Sequence, residues 1–212
     1  MVNLDLARAL VAKLPASTAT LFNPWQDHCA DDLANNGPQD KLQRLAQHLD
    51  CQPKFILCGE APGHLGCRHS GVAFTSERLL LAGAIPRVSQ PAARLTSRRL
   101  PFSESSATIV WRVLQELGVA EKAVLWNALQ LHPHRPGDPR SNRTPSDGEL
   151  MQGAPALRLL MEAFPNAQLV AVGRKAEKLL GDMGQTPTGQ VRHPANGGAN
   201  EFAAGLRELL QG

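Results

Sequence analysis

The sequence predicts an α/β fold, a three-layer α/β/α sandwich with a mostly parallel four-stranded central sheet. Three short runs rich in apolar residues, at 55–58, 123–126 and 168–172, have the length and composition of strands, and residues 190–192 are predicted as a short fourth strand. Segments with helical spacing of apolar residues lie between them. Because strands that alternate with helices form parallel sheets covered by helices, these observations together predict this class.

The predicted helices have apolar residues at helical spacing or clear boundary residues. They span residues 4–14, 40–49, 76–84, 103–117, 146–164, 174–180 and 200–210. Ser146 is followed three positions later by Glu149, the spacing of a capping box, and Ser103 precedes an acidic turn, so both are predicted N-caps. The segments 85–100 and 131–145 are rich in proline and are predicted to be loops.

Length and composition indicate one domain over residues 1–212, of which residues 1–50 form a helical extension packed on the rest. The chain has 212 residues, 42% of them hydrophobic, which suffices for a core. A net charge of +3 permits a nucleic-acid partner without requiring one. Basic residues cluster at 87–99 and at 132–143, and for each cluster phosphate contact and a solvated face are alternatives.

Cysteine usage indicates a reducing compartment. The four cysteines contain no C-x-x-C pair, and the first helical stretch is too charged for a signal peptide. No apolar run is long enough to cross a membrane. We therefore expect a cytoplasmic protein with free thiols, no membrane association and a monomeric state.

Three loops that follow predicted strands carry the residues best suited to chemistry. Gly59 and Gly63 enclose a Glu-Ala-Pro turn, Asn127 ends the second strand, and His193 follows the last one. Ligands bind at the carboxyl ends of strands in open α/β sheets. The three loops are therefore predicted to converge, although they are far apart in the chain.

Each of these features has a functional and an ordinary interpretation. A glycine and proline turn lets the backbone approach a ligand, but many strand–helix junctions look alike. Asn127 offers a donor and an acceptor, or it is a turn former. Phe74, beside small residues, is a stacking platform or a core residue. His193, held by Pro194 before a flexible Gly-Gly loop, is poorly placed for packing and can stabilise negative charge.

Taken together, these residues resemble the uracil-DNA glycosylase superfamily, and most closely its family 4, the thermostable iron–sulfur type. The resemblance covers roughly residues 55–202. The matching segments are 59–63 with the GEAPG motif, 71–74 with the G-x-P-F segment, Asn127 with the uracil-reading Asn, 142–145 with N-R-x-P, 173–176 with the L-G-x-x-A turn, and His193-Pro194 with the H-P-S motif.

The resemblance implies a site that grips a base flipped out of DNA. It assigns catalytic roles to His193, Glu60 and Asn127. It assigns base binding to Gly59, Ala61, Pro62, Gly63, Phe74 and Asn127. It assigns DNA contact to Asn142, Arg143, Arg98, Arg99, Asn196 and Gly197.

The chain departs from family 4 in its cysteines. Cys29 and Cys51 are well separated, and the two later cluster positions, near residues 129–132 and 151–154, lack cysteine. We predict no iron–sulfur cluster, no cofactor and no metal. A zinc site from Cys67 with His64 or His69 is the alternative to surface residues near a DNA-binding loop.

The predicted function is a monofunctional DNA glycosylase that hydrolyses the N-glycosidic bond of uracil and leaves an abasic site. Its partner is uracil-containing DNA, single- or double-stranded. Ala61 stands where the most active relatives carry an Asp that positions water, so catalysis would depend on electrostatics. The alternatives are an inactive module that binds damaged DNA, or a glycosylase for hypoxanthine, xanthine or mismatched thymine. A generic nucleotide-binding protein is disfavoured, because no phosphate-binding glycine motif follows a strand.

Overall fold

The chain folds around a four-stranded sheet whose strands are all parallel. The computed structural model describes residues 3–211. Its strands are β1 (Leu21–Phe22), β2 (Phe55–Gly59), β3 (Ala123–Asn127), β4 (His132–Pro133), β5 (Gln168–Val172) and β6 (Gly189–Val191). Its helices are α1 (Leu4–Val11), α2 (Pro38–His48), α3 (Cys67–Ser70), α4 (Glu77–Leu81), α5 (Ser105–Glu116), α6 (Asp147–Met151), α7 (Ala154–Ala163), α8 (Arg174–Asp182) and α9 (Ala199–Gln211), with a 3₁₀ turn at Ala120–Lys122.

The sheet has the order β3-β2-β5-β6, and its side chains alternate between two cores. Along β2, Ile56 and Cys58 enter one core, while Phe55 and Leu57 enter the other. This alternation follows from the period of two in a strand. Because both faces are buried, β2 is apolar along its whole length, as expected for a central parallel strand.

Helices cover both faces of the sheet and complete three layers, which confirms the predicted fold class. The first core takes apolar residues from α1, α2, α7 and α8, and the second takes them from α4, α5 and α9. In the described part of the chain, no helix combines the length and apolar character needed to cross a membrane.

The first 50 residues are part of the layered structure rather than an appendage. Helix α1 packs against α2 and α7, and β1 pairs antiparallel with β4. Between the two helices the chain is mostly irregular. The prediction of one domain over residues 1–212 includes residues 1, 2 and 212, which lie outside the described range.

The outer edge of the sheet at β3 is covered by side chains. The Leu125 amide donates to Nε2 of His48, a fully buried side chain on α2, at 2.9 Å. The Arg87 guanidinium donates to the carbonyl oxygens of His48 and Ala123. Burial and, less strongly, the charge of Arg87 lower the pKa of His48 to about 3, so this histidine is neutral and accepts the strand hydrogen bond. The edge is thus protected from pairing with another strand.

The prediction of one helix over 146–164 is wrong, because the helix is interrupted between α6 and α7. A Cβ on Gly153 would lie 1.8 Å from the Ala128 carbonyl oxygen, so the helices meet where the backbone after β3 passes close by. The capping box at Ser146 is confirmed, since its hydroxyl accepts from the Glu149 amide.

The predicted N-cap Ser103 is also wrong. Helix α5 begins two residues later with Glu104 as its N-cap. The Ser103 hydroxyl accepts instead from Nε of Arg78 at 2.9 Å.

The proline-rich segment 85–100 is organised around one buried carboxylate. Glu77 is fully buried and accepts hydrogen bonds from Arg94, from the amides of Leu95 and Phe102, and from both the amide and hydroxyl of Thr96. Burial alone would raise the pKa of Glu77, but these hydrogen bonds hold it below its usual value. Arg94 therefore stabilises the loop 85–100 through Glu77 and is not part of a solvated face.

Candidate active site

The carboxyl ends of β2 and β3 lie side by side and are joined by hydrogen bonds beyond the sheet. Gly59 is paired in register with Asn127. The Ala128 amide donates to the Gly59 carbonyl at 2.8 Å, and the Leu129 amide donates to the Glu60 carbonyl at 3.0 Å. The loop 59–63 and the buried segment after Asn127 are therefore held together by main-chain hydrogen bonds.

Gly59 is required at its position because two side chains pack directly on its Cα. A Cβ there would lie 2.4 Å from Cζ of Phe74 and 3.0 Å from Oδ1 of Asn127. Phe74 adopts a left-handed backbone with φ of 49°, a conformation that costs free energy in a bulky residue. Such strain is often found where a side chain must be aimed at a ligand, and here it places the Phe74 ring beside Asn127.

The Asn127 carboxamide faces the cleft with its hydrogen-bonding capacity unused. Its backbone carbonyl accepts from Nε2 of Gln130 at 2.5 Å, but its side chain makes no hydrogen bond to any described residue. The residue is 5% exposed, so the free donor and acceptor are available only to a ligand within the cleft.

His193 reaches the same cleft from the turn after β6. Its Nδ1 accepts from the Ala195 amide at 3.2 Å, which leaves the proton of the neutral ring on Nε2. Burial lowers the pKa of His193, which also favours the neutral ring. Its ring centroid lies 5.8 Å from that of Phe74. A Cβ on Gly173, which has φ of 88°, would come within 3.0 Å of the His193 Cβ.

A cleft of about 530 Å³ joins these groups. Of the residues predicted for the site, its lining includes Glu60, Ala61, Pro62, Gly63, Phe74, Asn127, Asn142, Arg143, His193 and Asn196. Glu60 is half-buried and also borders a second cleft of about 780 Å³. Burial raises the pKa of Glu60, an effect that the charge of Lys175 opposes.

Asn142 and Arg143 hold the proline-rich loop against the rest of the site. Oδ1 of Asn142 accepts from the His64 amide at 2.8 Å and lies 3.1 Å from Nε2 of His132. The Arg143 guanidinium makes a bidentate pair with Glu149 and donates to the carbonyls of His134 and Thr20. Its donors are thus engaged within the protein, and its contact with DNA stays a prediction.

The remaining predicted DNA-contact residues lie around the cleft rather than in one place. Asn196 and Gly197 form an exposed left-handed turn at its rim, with φ of 53° and 81°. Arg98 and Arg99 are exposed, and Arg98 borders a separate cavity of about 430 Å³ beside His64. Their roles also stay predictions.

Several residues that line the clefts were not predicted as site residues from the sequence. Glu104, half-buried, lines the first cleft together with Leu65 and accepts from the Ser106 hydroxyl. Burial raises the pKa of Glu104, which favours a neutral carboxyl group. Arg174 and Arg192 line the second cleft. In the sequence, Arg174 lies in the turn 173–176 that follows a predicted strand, and Arg192 is the last residue of the predicted strand 190–192.

Cys67 lies in the wall of the first cleft rather than in a histidine cluster. It is buried, and burial raises the pKa of its thiol. Within the described residues, one group of three side chains is close enough to hold a metal ion, and it contains Cys29, Asp31 and His69.

Comparison with known proteins agrees with the geometry. The model of the Uracil DNA glycosylase superfamily matches residues 46–209. Among solved structures, wild-type Pedobacter heparinus SMUG2 is similar to this chain, with a TM-score of 0.65 and 14% identity over 100% of both chains. At that identity the likeness concerns the fold alone. No curated protein matches the sequence.

Proposed function

We propose that this chain, which belongs to the uracil DNA glycosylase superfamily, is a DNA glycosylase that removes uracil from DNA and leaves an abasic site. One observation carries the proposal. The Phe74 ring, the unpaired Asn127 carboxamide and the neutral His193 ring face one cleft at the end of β2 and β3. These are the groups needed to stack on a planar base, to read its edge and to stabilise its departure.

Base recognition rests on Phe74 and Asn127. A base that is flipped out of the stack loses a few kcal/mol of stacking and pairing, which the pocket must compensate. Stacking on an aromatic ring contributes about 1–3 kcal/mol. The Asn127 carboxamide pairs with a carbonyl oxygen and an adjacent N–H, the arrangement that uracil presents. The backbone of Ala61, Pro62 and Gly63 borders the other side of the base.

Departure of the base rests on His193. Cleavage of the glycosidic bond places negative charge on the leaving uracil and positive charge on the sugar. The neutral His193 donates from Nε2 to the uracil oxygen where charge develops, and such preorganised donors are among the strongest contributors to catalysis. Water then attacks the sugar carbon, with Glu60 orienting it, because Ala61 has no carboxylate for this purpose.

DNA binding rests on the basic rim of the second cleft. Arg174, Lys175 and Arg192 border it beside His193, and the exposed Arg98 and Arg99 are proposed to add further phosphate contacts. Phosphate contacts from these side chains would make binding weaken as salt rises. Asn142, Asn196 and Gly197 would contact the strand that carries the flipped nucleotide.

A glycosylase for another deaminated base is the second candidate. The first cleft, at about 530 Å³, has room for a purine, and the Glu104 carboxyl, whose pKa is raised by burial, would offer an additional donor in its wall when protonated. An inactive module that binds damaged DNA is the third candidate. It is favoured by Ala61, which lacks the carboxylate that positions water in the most active relatives.

Oligonucleotide cleavage separates these functions. Single- and double-stranded oligonucleotides carrying uracil, hypoxanthine, xanthine or a T·G mismatch are incubated with the protein and then treated with alkali. Breaks at uracil support the proposal, breaks at another base support the second candidate, and tight binding without breaks supports the module.

Two variants test the site assignment. His193→Ala and Asn127→Asp should each lower uracil excision strongly, whereas His28→Ala and Asn200→Asp, at exposed positions, should not. Full activity in both site variants would refute the assigned roles.

A further inference from the structure

A second cluster of side chains, separate from the base pocket, has the composition of a metal site. Cys29 and Asp31 belong to the irregular segment before α2, and His69 lies on α3. All three residues are buried, and one ligand atom from each lies within 4.8 Å of the others. Ligand atoms on one tetrahedral zinc ion are about 3.3–3.8 Å apart, so the three side chains would have to move about 1 Å closer together to bind an ion.

The hydrogen bonding of His69 indicates a missing ligand. Its side chain is fully buried, and its Nε2 has no hydrogen-bond partner. A buried polar atom without a partner costs about 1–3 kcal/mol. The other ring nitrogen, Nδ1, lies 3.0 Å from the Asp32 carboxylate. A carboxylate on the second nitrogen is the usual partner of a metal-binding histidine, because it fixes the tautomer and orients the ring.

A second unpartnered nitrogen lies beside the cluster. His64 is 7% exposed and its Nδ1 also has no hydrogen-bond partner, and its ring centroid is 5.7 Å from that of His69. His64 and Asp31 both border the cavity of about 430 Å³ that opens near Arg98. This cavity gives an ion and its remaining water ligand a route from the surface.

Three cationic side chains lie beside the cluster, namely Arg68, Arg140 and Lys41, the last of which pairs with Asp32, so a bound dication has to be neutralised by its own ligands. Arg68 donates from Nε to the Cys29 sulfur at 3.3 Å, and Arg140 pairs with Asp31 at 2.5 Å. A thiolate and a carboxylate together cancel the charge of Zn²⁺, so both arginines would face a neutral site. Each ligand keeps its existing hydrogen bond, because a carboxylate and a thiolate have several lone pairs.

We propose that Cys29, Asp31 and His69 bind one Zn²⁺ per chain, with water in the position that faces the cavity. Thiolate and imidazole ligands in this combination favour zinc over magnesium or calcium. The Cys29 thiol releases its proton to solvent on binding. The ion joins the N-terminal segment to α3, the helix between the 59–63 loop and Phe74, and would hold these two parts of the chain together. This inference does not depend on the proposed function.

Metal content and coordination test the proposal without a variant. Protein purified with added zinc is expected to contain one zinc per chain, and zinc-edge X-ray absorption is expected to show one sulfur ligand with nitrogen and oxygen completing the shell. The protein stripped of metal and loaded with Co²⁺ should show a thiolate-to-cobalt absorption band. Absence of stoichiometric metal, or a bound metal without a sulfur ligand, would overturn the proposal.

Three variants test which residues hold the ion. Cys29→Ser and His69→Gln should each weaken zinc binding by at least about tenfold, and Asp32→Asn by about 10- to 100-fold. Cys51→Ser is the matched control, because Cys51 is half-buried and outside the cluster. Circular dichroism establishes that each variant is folded. Unchanged zinc affinity in a folded Cys29→Ser protein would refute the site.

Discussion

The buried His48 predicts a specific loss of stability in acid. Its pKa is about 3 in the folded protein against 6.5 in the unfolded chain, because it is buried and near Arg87. Between these values the unfolded chain binds the proton and the folded protein does not. Stability therefore falls as pH falls below 6.5, and the loss continues until about pH 3.

The magnitude follows from the two pKa values. At pH 5, protonation of the unfolded His48 lowers the free energy of unfolding by about 2 kcal/mol relative to pH 8. His48→Gln keeps an acceptor for the Leu125 amide and removes the titration. The difference in stability between pH 8 and pH 5 should thus be about 2 kcal/mol smaller in the variant than in the natural sequence, whatever constant offset the substitution adds.

Urea denaturation at pH 8, 7, 6 and 5 measures this difference. All other titrating groups are shared by the two proteins, so their contributions cancel in the comparison. His28→Gln, at an exposed position, serves as the control for replacing a histidine by glutamine. Parallel stability curves for the natural sequence and His48→Gln would refute the account of the β3 edge.

Three further predictions concern the site. Phe74→Leu should lower kcat/KM on uracil-containing DNA by about 5- to 150-fold, because it removes a stacking contribution of about 1–3 kcal/mol. Gly173→Ala should lower both stability and activity, since its left-handed backbone disfavours a Cβ and that Cβ would press on His193. Leu65→Ala should lower activity on duplex DNA more than on single strands, because this 38% exposed apolar side chain at the rim of the base pocket is placed to fill the gap left by the flipped nucleotide.

The predictions for Leu65 and Gly173 each have a matched control. Met151→Ala removes another exposed apolar side chain, outside the pocket lining, and should affect neither substrate. Gly184→Ala introduces a Cβ at a left-handed position with nothing within 4 Å, so it should cost stability but not activity. The stacking role fails if Phe74→Leu retains full activity, and the role of Leu65 fails if its variant loses activity equally on both substrates.

The strands and their ends could be predicted from the sequence because they depend on local pattern. The apolar run of β2 ends at a glycine, β3 ends at Asn127, and parallel pairing then forces those ends together. The break between α6 and α7 could not be predicted in this way. It depends on the approach of Gly153 to Ala128, two segments that share no local signal.

The basic clusters show the same limit more clearly. From the sequence, the arginines of segment 85–100 could be interpreted as phosphate contacts or as a solvated face. In the structure, Arg94 pairs with the buried Glu77, and Arg87 donates to carbonyls at the sheet edge. Which arginine remains free depends on acceptors brought close only by folding. Glu104, the N-cap of α5, likewise lines the base pocket only because of the fold, and no sequence motif identifies it as a site residue.

The hydrogen bonds that join Gly59 to Ala128 and Glu60 to Leu129 preorganise the base pocket before DNA binds. Asn142 extends this rigid frame to the proline-rich loop through the His64 amide. The deformation required for reaction then falls on the nucleic acid. We expect excision rates to rank by the ease of opening each base pair, fastest for single strands, slower for U·G and slowest for U·A.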